Sequence, residues 1–213
     1  LIFYQYVPAG VTEKWTVQGH PREARVVSPL VAKGAPVVIC FHGGGGQAYF
    51  AVDEYAIHKN WPEALVYYAQ GLPGRGGFTT WSRADLPFFD ELRRDAIHRR
   101  GADPSRLFVM GYSTGANFAG DLWGLRGSLI AGLAFVSGGR FESSWPHRPV
   151  YLSYGESEPE ASRLRVLGKR LSARGEATVN PRHEGHTYPQ NQNQSLADFL
   201  KACPPLKPSN EAK

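Results

Sequence analysis

Three stretches of this chain carry side chains suited to nucleophilic chemistry. The first is Gly111-Tyr112-Ser113-Thr114-Gly115, preceded by an apolar run from Leu107 and followed by small residues as far as Gly120. The apolar run reads as a buried strand and the small-residue segment as a closely packed helix. A serine at that junction sits on a tight turn, where a side chain at position 111 or 115 would collide with the neighbouring strand or helix. The turn lifts the hydroxyl to a helix N-terminus, where partial positive charge favours a developing anion. The plainer alternative is a glycine-bounded turn in which Ser113 only caps the next helix.

The second stretch is His42-Gly43-Gly44-Gly45-Gly46, directly after the apolar run Val37–Phe41. Backbone N–H groups without side chains can approach a substrate oxygen closely, which is what an oxyanion hole requires. The third is His183-Glu184-Gly185-His186-Thr187-Tyr188-Pro189. A serine hydroxyl is a poor nucleophile until a histidine accepts its proton and a carboxylate holds that histidine in the right tautomer. Carboxylates at Glu156, Glu158 and Glu160 follow the apolar run 149–154, and the histidines follow a short run at 177–179. Serine, acid and histidine thus come in that order, each after a predicted strand, as in the α/β-hydrolase arrangement.

Positioning these groups requires an alternating scaffold. Apolar and polar residues alternate at 3–8 and at 13–28, broken at Gln18-Gly19-His20-Pro21, which predicts an antiparallel edge hairpin. Buried strands are predicted at 37–41, 64–68, 107–110, 129–137 and 149–154. Helices are predicted at 49–59, 85–100, 161–174 and 194–201, and Leu86, Phe89, Leu92, Ala96 and Ile97 keep the helical period of the second. The alternation predicts an α/β fold with a mostly parallel central sheet and helices on both faces. Residues 138–148 are too few for an inserted helical cap, so no large lid is expected. The whole chain, 1–213, reads as one domain, with 204–213 a flexible polar tail.

Composition narrows the field further. Of 213 residues, 42% are hydrophobic and 20% charged, as in soluble globular proteins, and no apolar run is long enough to span a bilayer. The net charge of +5 is mild. Arg93-Arg94 and Arg99-Arg100 read as the solvated face of one helix, and stacking aromatics are not interleaved with them as a nucleic-acid surface would require. Cys40 and Cys203 make no disulfide framework. His183 and His186 lack the His-Glu-x-x-His spacing and a third ligand nearby, so no metal is expected. A chain starting at Leu1 reads as processed or truncated, with any targeting peptide already missing.

Taken together, His42-Gly43-Gly44, Asp103-Pro104 with Arg106, Gly111 to Gly115, the strand ending at Gly155 with an acid three residues on, and Gly185-His186-Thr187-Tyr188-Pro189 resemble one branch of the α/β-hydrolases. This is the polyhydroxybutyrate depolymerase and feruloyl esterase-like branch. The resemblance covers 13–200, and its most specific part is the Gly-His-Thr-aromatic-Pro loop. It implies hydrolysis of small or polymeric carboxylic esters through an acyl-enzyme, without metal or cofactor. It also implies export in many cases, so a secreted or periplasmic location is expected, otherwise a cytoplasmic one.

Matched residue by residue, the resemblance makes Ser113 the nucleophile and His186 the base, with His183 at the surface or in a supporting place. The acid falls on Glu158, where the branch usually has aspartate, and Glu156 and Glu160 are neighbours that could substitute. The oxyanion hole is expected from the N–H of Thr114 and one from Gly43 or Gly44. Tyr112, Trp81 and Tyr188 are candidate walls of an acyl or aromatic pocket, or else core residues. Ala116 departs from the glycine common in the branch. The competing readings are a serine peptidase, lipase or thioesterase on the same fold, and a non-catalytic binding protein that keeps the scaffold.

Overall fold

In the computed structural model, which describes residues 9–207, the chain opens with strands β1 (Val11–Val17) and β2 (His20–Val27). Gln18 and Gly19 between them both have positive φ, 49° and 78°. Two such residues in succession form the turn whose twist matches its flanking strands, so the chain folds back as an antiparallel hairpin with Val11 opposite Val26. The strand predicted at 3–8 lies outside the described residues.

The remaining strands are β3 (Val37–Phe41), β4 (Leu65–Ala69), β5 (Leu72–Pro73), β6 (Thr79–Thr80), β7 (Leu107–Tyr112), β8 (Gly132–Val136), β9 (Val150–Gly155) and β10 (Ala177–Arg182). β5 and β6 form a small separate ribbon, and the others build one eight-stranded sheet in the order β1-β2-β4-β3-β7-β8-β9-β10. From β4 to β10 every neighbouring pair is parallel, and only the hairpin and its junction with β4 are antiparallel.

Helices α1 (Ala48–Tyr55), α2 (Ile57–Asn60), α3 (Leu86–Arg94), α4 (Thr114–Arg126), α5 (Ala161–Ala173) and α6 (Asn193–Ala202) divide between the two faces. Side chains alternate across a strand, so β3 sends Val37, Ile39 and Phe41 to one layer and Val38 and Cys40 to the other. The first layer is completed by Phe88 and Leu92 of α3, Phe118 and Leu122 of α4, and Leu164 and Leu171 of α5. The second is completed by Val52 of α1, Ile57 of α2, and Leu196 and Leu200 of α6. Every residue of β3 and β8 is buried, which is why these segments read as continuous apolar runs.

Two predicted helices are interrupted. Residues 49–59 split at Ala56, which has φ 45°. Tyr55 and Ile57 both belong to the core, and residues two apart on a straight helix face different directions, so the break lets both turn inward. Residues 85–100 widen into a π turn at Asp95–Arg99. There the Tyr67 hydroxyl donates to the buried Asp95 at 2.6 Å, Arg100 donates to the same carboxylate at 2.9 Å, and Arg99 binds it too. Both arginines also pair with Glu13 on β1. Arg99 and Arg100 are therefore not a free solvated face: they tie the edge hairpin to the helix layer, and Arg100 is only 13% exposed.

Residues 137–149, between β8 and β9, contain no helix, and Phe141 and Trp145 within them pack on Trp123. Near the C-terminus the Leu206 N–H donates to the Ser105 carbonyl at 2.8 Å. Among the described residues no helix is long and apolar enough to cross a membrane. Cys40 and Cys203 are free thiols, both buried.

Candidate active site

Ser113 lies between β7 and α4 with φ 54° and ψ −117°, a conformation that L-residues rarely adopt and that stores about 1–3 kcal/mol. It survives because both glycines of the turn are in backbone contact. A Cβ on Gly111 would sit 2.3 Å from the Gly115 carbonyl oxygen, and one on Gly115 would sit 2.2 Å from that of Phe41. Helix α4 thus presses directly on the end of β3, and the Ser113 N–H is held by the Val136 carbonyl at 2.8 Å.

His186 arrives from the loop after β10, the edge strand. That loop runs over Gly155, where a Cβ would meet the carbonyl oxygens of Glu184 and Gly185 at 2.3 Å. Its Nε2 lies 2.9 Å from Ser113 Oγ and its Nδ1 2.8 Å from Glu158 Oε2. A carboxylate facing Nδ1 keeps the proton there and leaves the Nε2 lone pair for the serine hydroxyl. The Tyr112 ring stacks on the imidazole at 5.5 Å, and its hydroxyl donates to the His186 carbonyl at 3.2 Å.

Glu158 is the carboxylate the fold brings to His186. Its side chain is 0% exposed, and its second oxygen, Oε1, has no partner among the described residues. The neighbouring candidates are engaged elsewhere: Glu156 pairs with the fully exposed His183 at 2.9 Å, and Glu160 accepts from Arg163 at 2.8 Å. His183 and His186 therefore serve different partners.

The glycine run forms a turn beside Ser113. Gly45 N–H donates to the Thr79 carbonyl and Gly46 N–H to the Gly43 carbonyl. The amides of Gly43, Gly44 and Thr114 make no hydrogen bond among the described residues, and a Cβ on Gly43 would lie 3.4 Å from Ser113 Cβ. The Thr114 hydroxyl is buried, lacks a partner among the described residues and lies beside Gly44.

Beneath the loop sits a support that the glycine motif does not advertise. His42 Nδ1–H donates to the Gly43 carbonyl at 2.7 Å, its Nε2 accepts the Gly71 N–H at 3.0 Å, and its carbonyl accepts from Trp81 Nε1 at 2.8 Å. Burial holds the imidazole pKa below its ordinary value despite the bond to Gly43, so the ring stays neutral. Arg182 plays a similar part for the histidine loop. Its buried guanidinium binds Ser137 Oγ at 2.9 Å and Glu184 at 3.1 Å, joining the ends of β8 and β10.

Two of the three expected pocket walls are core residues instead. Trp81 is buried, stacked on Phe118 and edge-on to Phe41. Tyr188 is buried against Tyr55 and donates its hydroxyl to Asn193 at 2.7 Å. Each has its polar atom satisfied by a neighbour, which is what allows a large aromatic to enter a core. Tyr112 does line a cleft of about 110 Å³ beside the glycine turn, together with His42, Gly43, Phe50, Glu54 and Tyr55. Phe78 packs against Gly44 and Gly45 and is itself exposed.

No model of a protein family and no curated protein matches the sequence. The fold does match solved structures. A hyperthermophilic esterase from the archaeon Pyrobaculum calidifontis superposes with a TM-score of 0.71 at 17% identity, over 92% of this chain and 86% of that one. A carboxylesterase from Mesorhizobium loti gives 0.68 at 19% identity, over 89% and 99% of the two chains. The Bacillus cereus carboxylesterase gives 0.65 at 20% identity, over 84% and 93%. The chain has the α/β-hydrolase fold.

Proposed function

We propose that this α/β-hydrolase scaffold works as a serine carboxylesterase. The observation that carries the reading is the unbroken relay from the Glu158 carboxylate through His186 to the Ser113 hydroxyl, 2.8 and 2.9 Å per step, ending beside three uncommitted amides. Ser113 Oγ attacks the ester carbonyl while His186 Nε2 takes its proton. The carbonyl oxygen becomes an anion in the space faced by the amides of Gly43, Gly44 and Thr114, and the unpartnered Thr114 hydroxyl adds a further donor. His186 then protonates the departing alkoxide, leaving an acyl-enzyme. Water, deprotonated by the same imidazole, releases the acid and restores the serine.

The esterases among the structural neighbours and the resemblance of the His186 loop to the depolymerase and feruloyl esterase-like branch support an ester rather than an amide as the bond cleaved. Ser113→Ala should lower kcat for 4-nitrophenyl acetate by several orders of magnitude, roughly 10⁴-fold or more. A phosphonate probe should label the wild-type protein and not the variant. Equal turnover by the two proteins would overturn the proposal. Acetyl, butyryl, feruloyl and 3-hydroxybutyryl esters, compared on the wild type, would rank the acyl groups.

A further inference from the structure

The cleft beside the glycine turn holds a carboxylate that the reaction does not use. Glu54, on α1, lines it together with Phe50, Tyr55 and Tyr112. Its side chain makes no hydrogen bond and no ion pair among the described residues, whereas most other acidic groups near the site are paired. Burial alone pushes the Glu54 carboxyl above the ordinary carboxylate range, with no cation close enough to pull it down. His42, the basic residue that also lines the cleft, is kept neutral by burial and contributes no compensating charge. The cleft is therefore acidic, partly desolvated and walled by aromatic rings. It also adjoins the nucleophile, since a Cβ on Gly43 would touch both Tyr112 and Ser113.

We propose that this cleft is a subsite for a cationic headgroup of the quaternary ammonium type, so that the enzyme prefers esters carrying one. An unpaired carboxylate supplies the counter-charge, and ring faces attract a weakly hydrated cation. The Gly43 carbonyl already takes both His42 Nδ1–H and Gly46 N–H, and a headgroup without N–H donors asks for no backbone acceptor there.

The inference rests on the esterase reading for its substrate and not for its binding, and the test separates the two. Two pairs of esters differ only in charge: acetylthiocholine against 3,3-dimethylbutyl thioacetate, and the 4-nitrophenyl esters of 4-(trimethylammonio)butyrate and 5,5-dimethylhexanoate. In at least one pair the cationic member should show about 10-fold higher kcat/KM, and Glu54→Gln should abolish that preference while changing the neutral member less than about threefold. Tetramethylammonium should inhibit 4-nitrophenyl acetate hydrolysis by the wild type and not by the variant. Hydrolysis of all four esters with no charge preference and no inhibition overturns the subsite and leaves the esterase standing. If none of the esters is hydrolysed, the esterase reading fails, and calorimetric titration of tetramethylammonium into both proteins decides the subsite: binding lost in Glu54→Gln supports it, and no binding to the wild type overturns it.

Discussion

Replacing Glu158 by glutamine alters one atom of the relay and little of its shape. The amide can present its oxygen to His186 Nδ1, across the 2.8 Å now spanned by the carboxylate, but it can equally present its NH₂. In the second orientation the imidazole proton must move to Nε2, where it faces Ser113 and removes the base. Loss of the correct tautomer lowers kcat by about 10³–10⁴-fold, or roughly 4–5.5 kcal/mol of transition-state stabilisation. Stability should move the other way or stay put. The carboxylate is fully buried, Oε1 is unpartnered, and its ion-pair partner among the described residues is His186. The amide leaves an unpartnered polar atom in the same place but removes the buried charge, and the smaller desolvation cost returns about 1 kcal/mol, which for a chain of this size raises Tm by about 2–4 °C. Glu158→Asp gives a graded control. Shortening the arm by one C–C bond of about 1.5 Å stretches the 2.8 Å contact to roughly 4.3 Å, beyond hydrogen-bond reach, so about 10²-fold should be lost. Steady-state kinetics on 4-nitrophenyl acetate and differential scanning calorimetry on the same samples read both quantities. Activity within tenfold of wild type in Glu158→Gln, or a Tm more than about 4 °C lower, would refute the assignment of Glu158 to the relay as a catalytic rather than a structural group.

Thr114→Val keeps shape and removes the buried hydroxyl beside Gly44; kcat for 4-nitrophenyl acetate should fall about 10-fold with KM little changed and stability undiminished, and an unchanged kcat would remove that hydroxyl from the oxyanion site. His42 has its pKa lowered in the folded state by burial, so the unfolded chain binds the proton more readily. Its contribution to stability is complete above the unfolded value of about 6.5 and declines as the pH falls through and below it, with the new proton on Nε2 confronting the Gly71 N–H. Urea unfolding from pH 7.5 to 5 should therefore show a shallower loss of stability in His42→Asn than in wild type, and parallel slopes would exclude this role.

The legibility of this chain differs sharply between backbone and side-chain features. The turn at Ser113 is readable because its glycines answer to close approaches of backbone that no side chain can share: Gly111 meets Gly115, and Gly115 meets Phe41 at the end of β3. The parallel sheet is readable because strands covered on both faces must be apolar throughout, as β3 and β8 are. Pairing among side chains from distant segments leaves no such mark. Three glutamates within five positions look alike in sequence, and what separates them is that Glu156 meets His183, Glu160 meets Arg163 and Glu158 turns inward to His186. Trp81 and Tyr188 look like pocket walls because an aromatic residue signals a large apolar surface and not the side from which it is covered. Glu54 reads as an ordinary acidic position on a helix, and only the fold shows it beside the nucleophile turn and unpaired. The interruption at Ala56 is equally hidden, since it answers to two neighbours that must both enter the core.

The histidine loop hangs from the outermost strand of the sheet. β10 pairs with β9 alone, most of its residues are at least partly open to solvent, and Pro181 removes an amide from it, which discourages another chain from docking there. Ser113 and Glu158, by contrast, follow strands flanked on both sides. Assembly of the relay therefore depends on the margin of the sheet that can peel away at least expense to the rest, so turnover should fade on warming before the interior strands come apart.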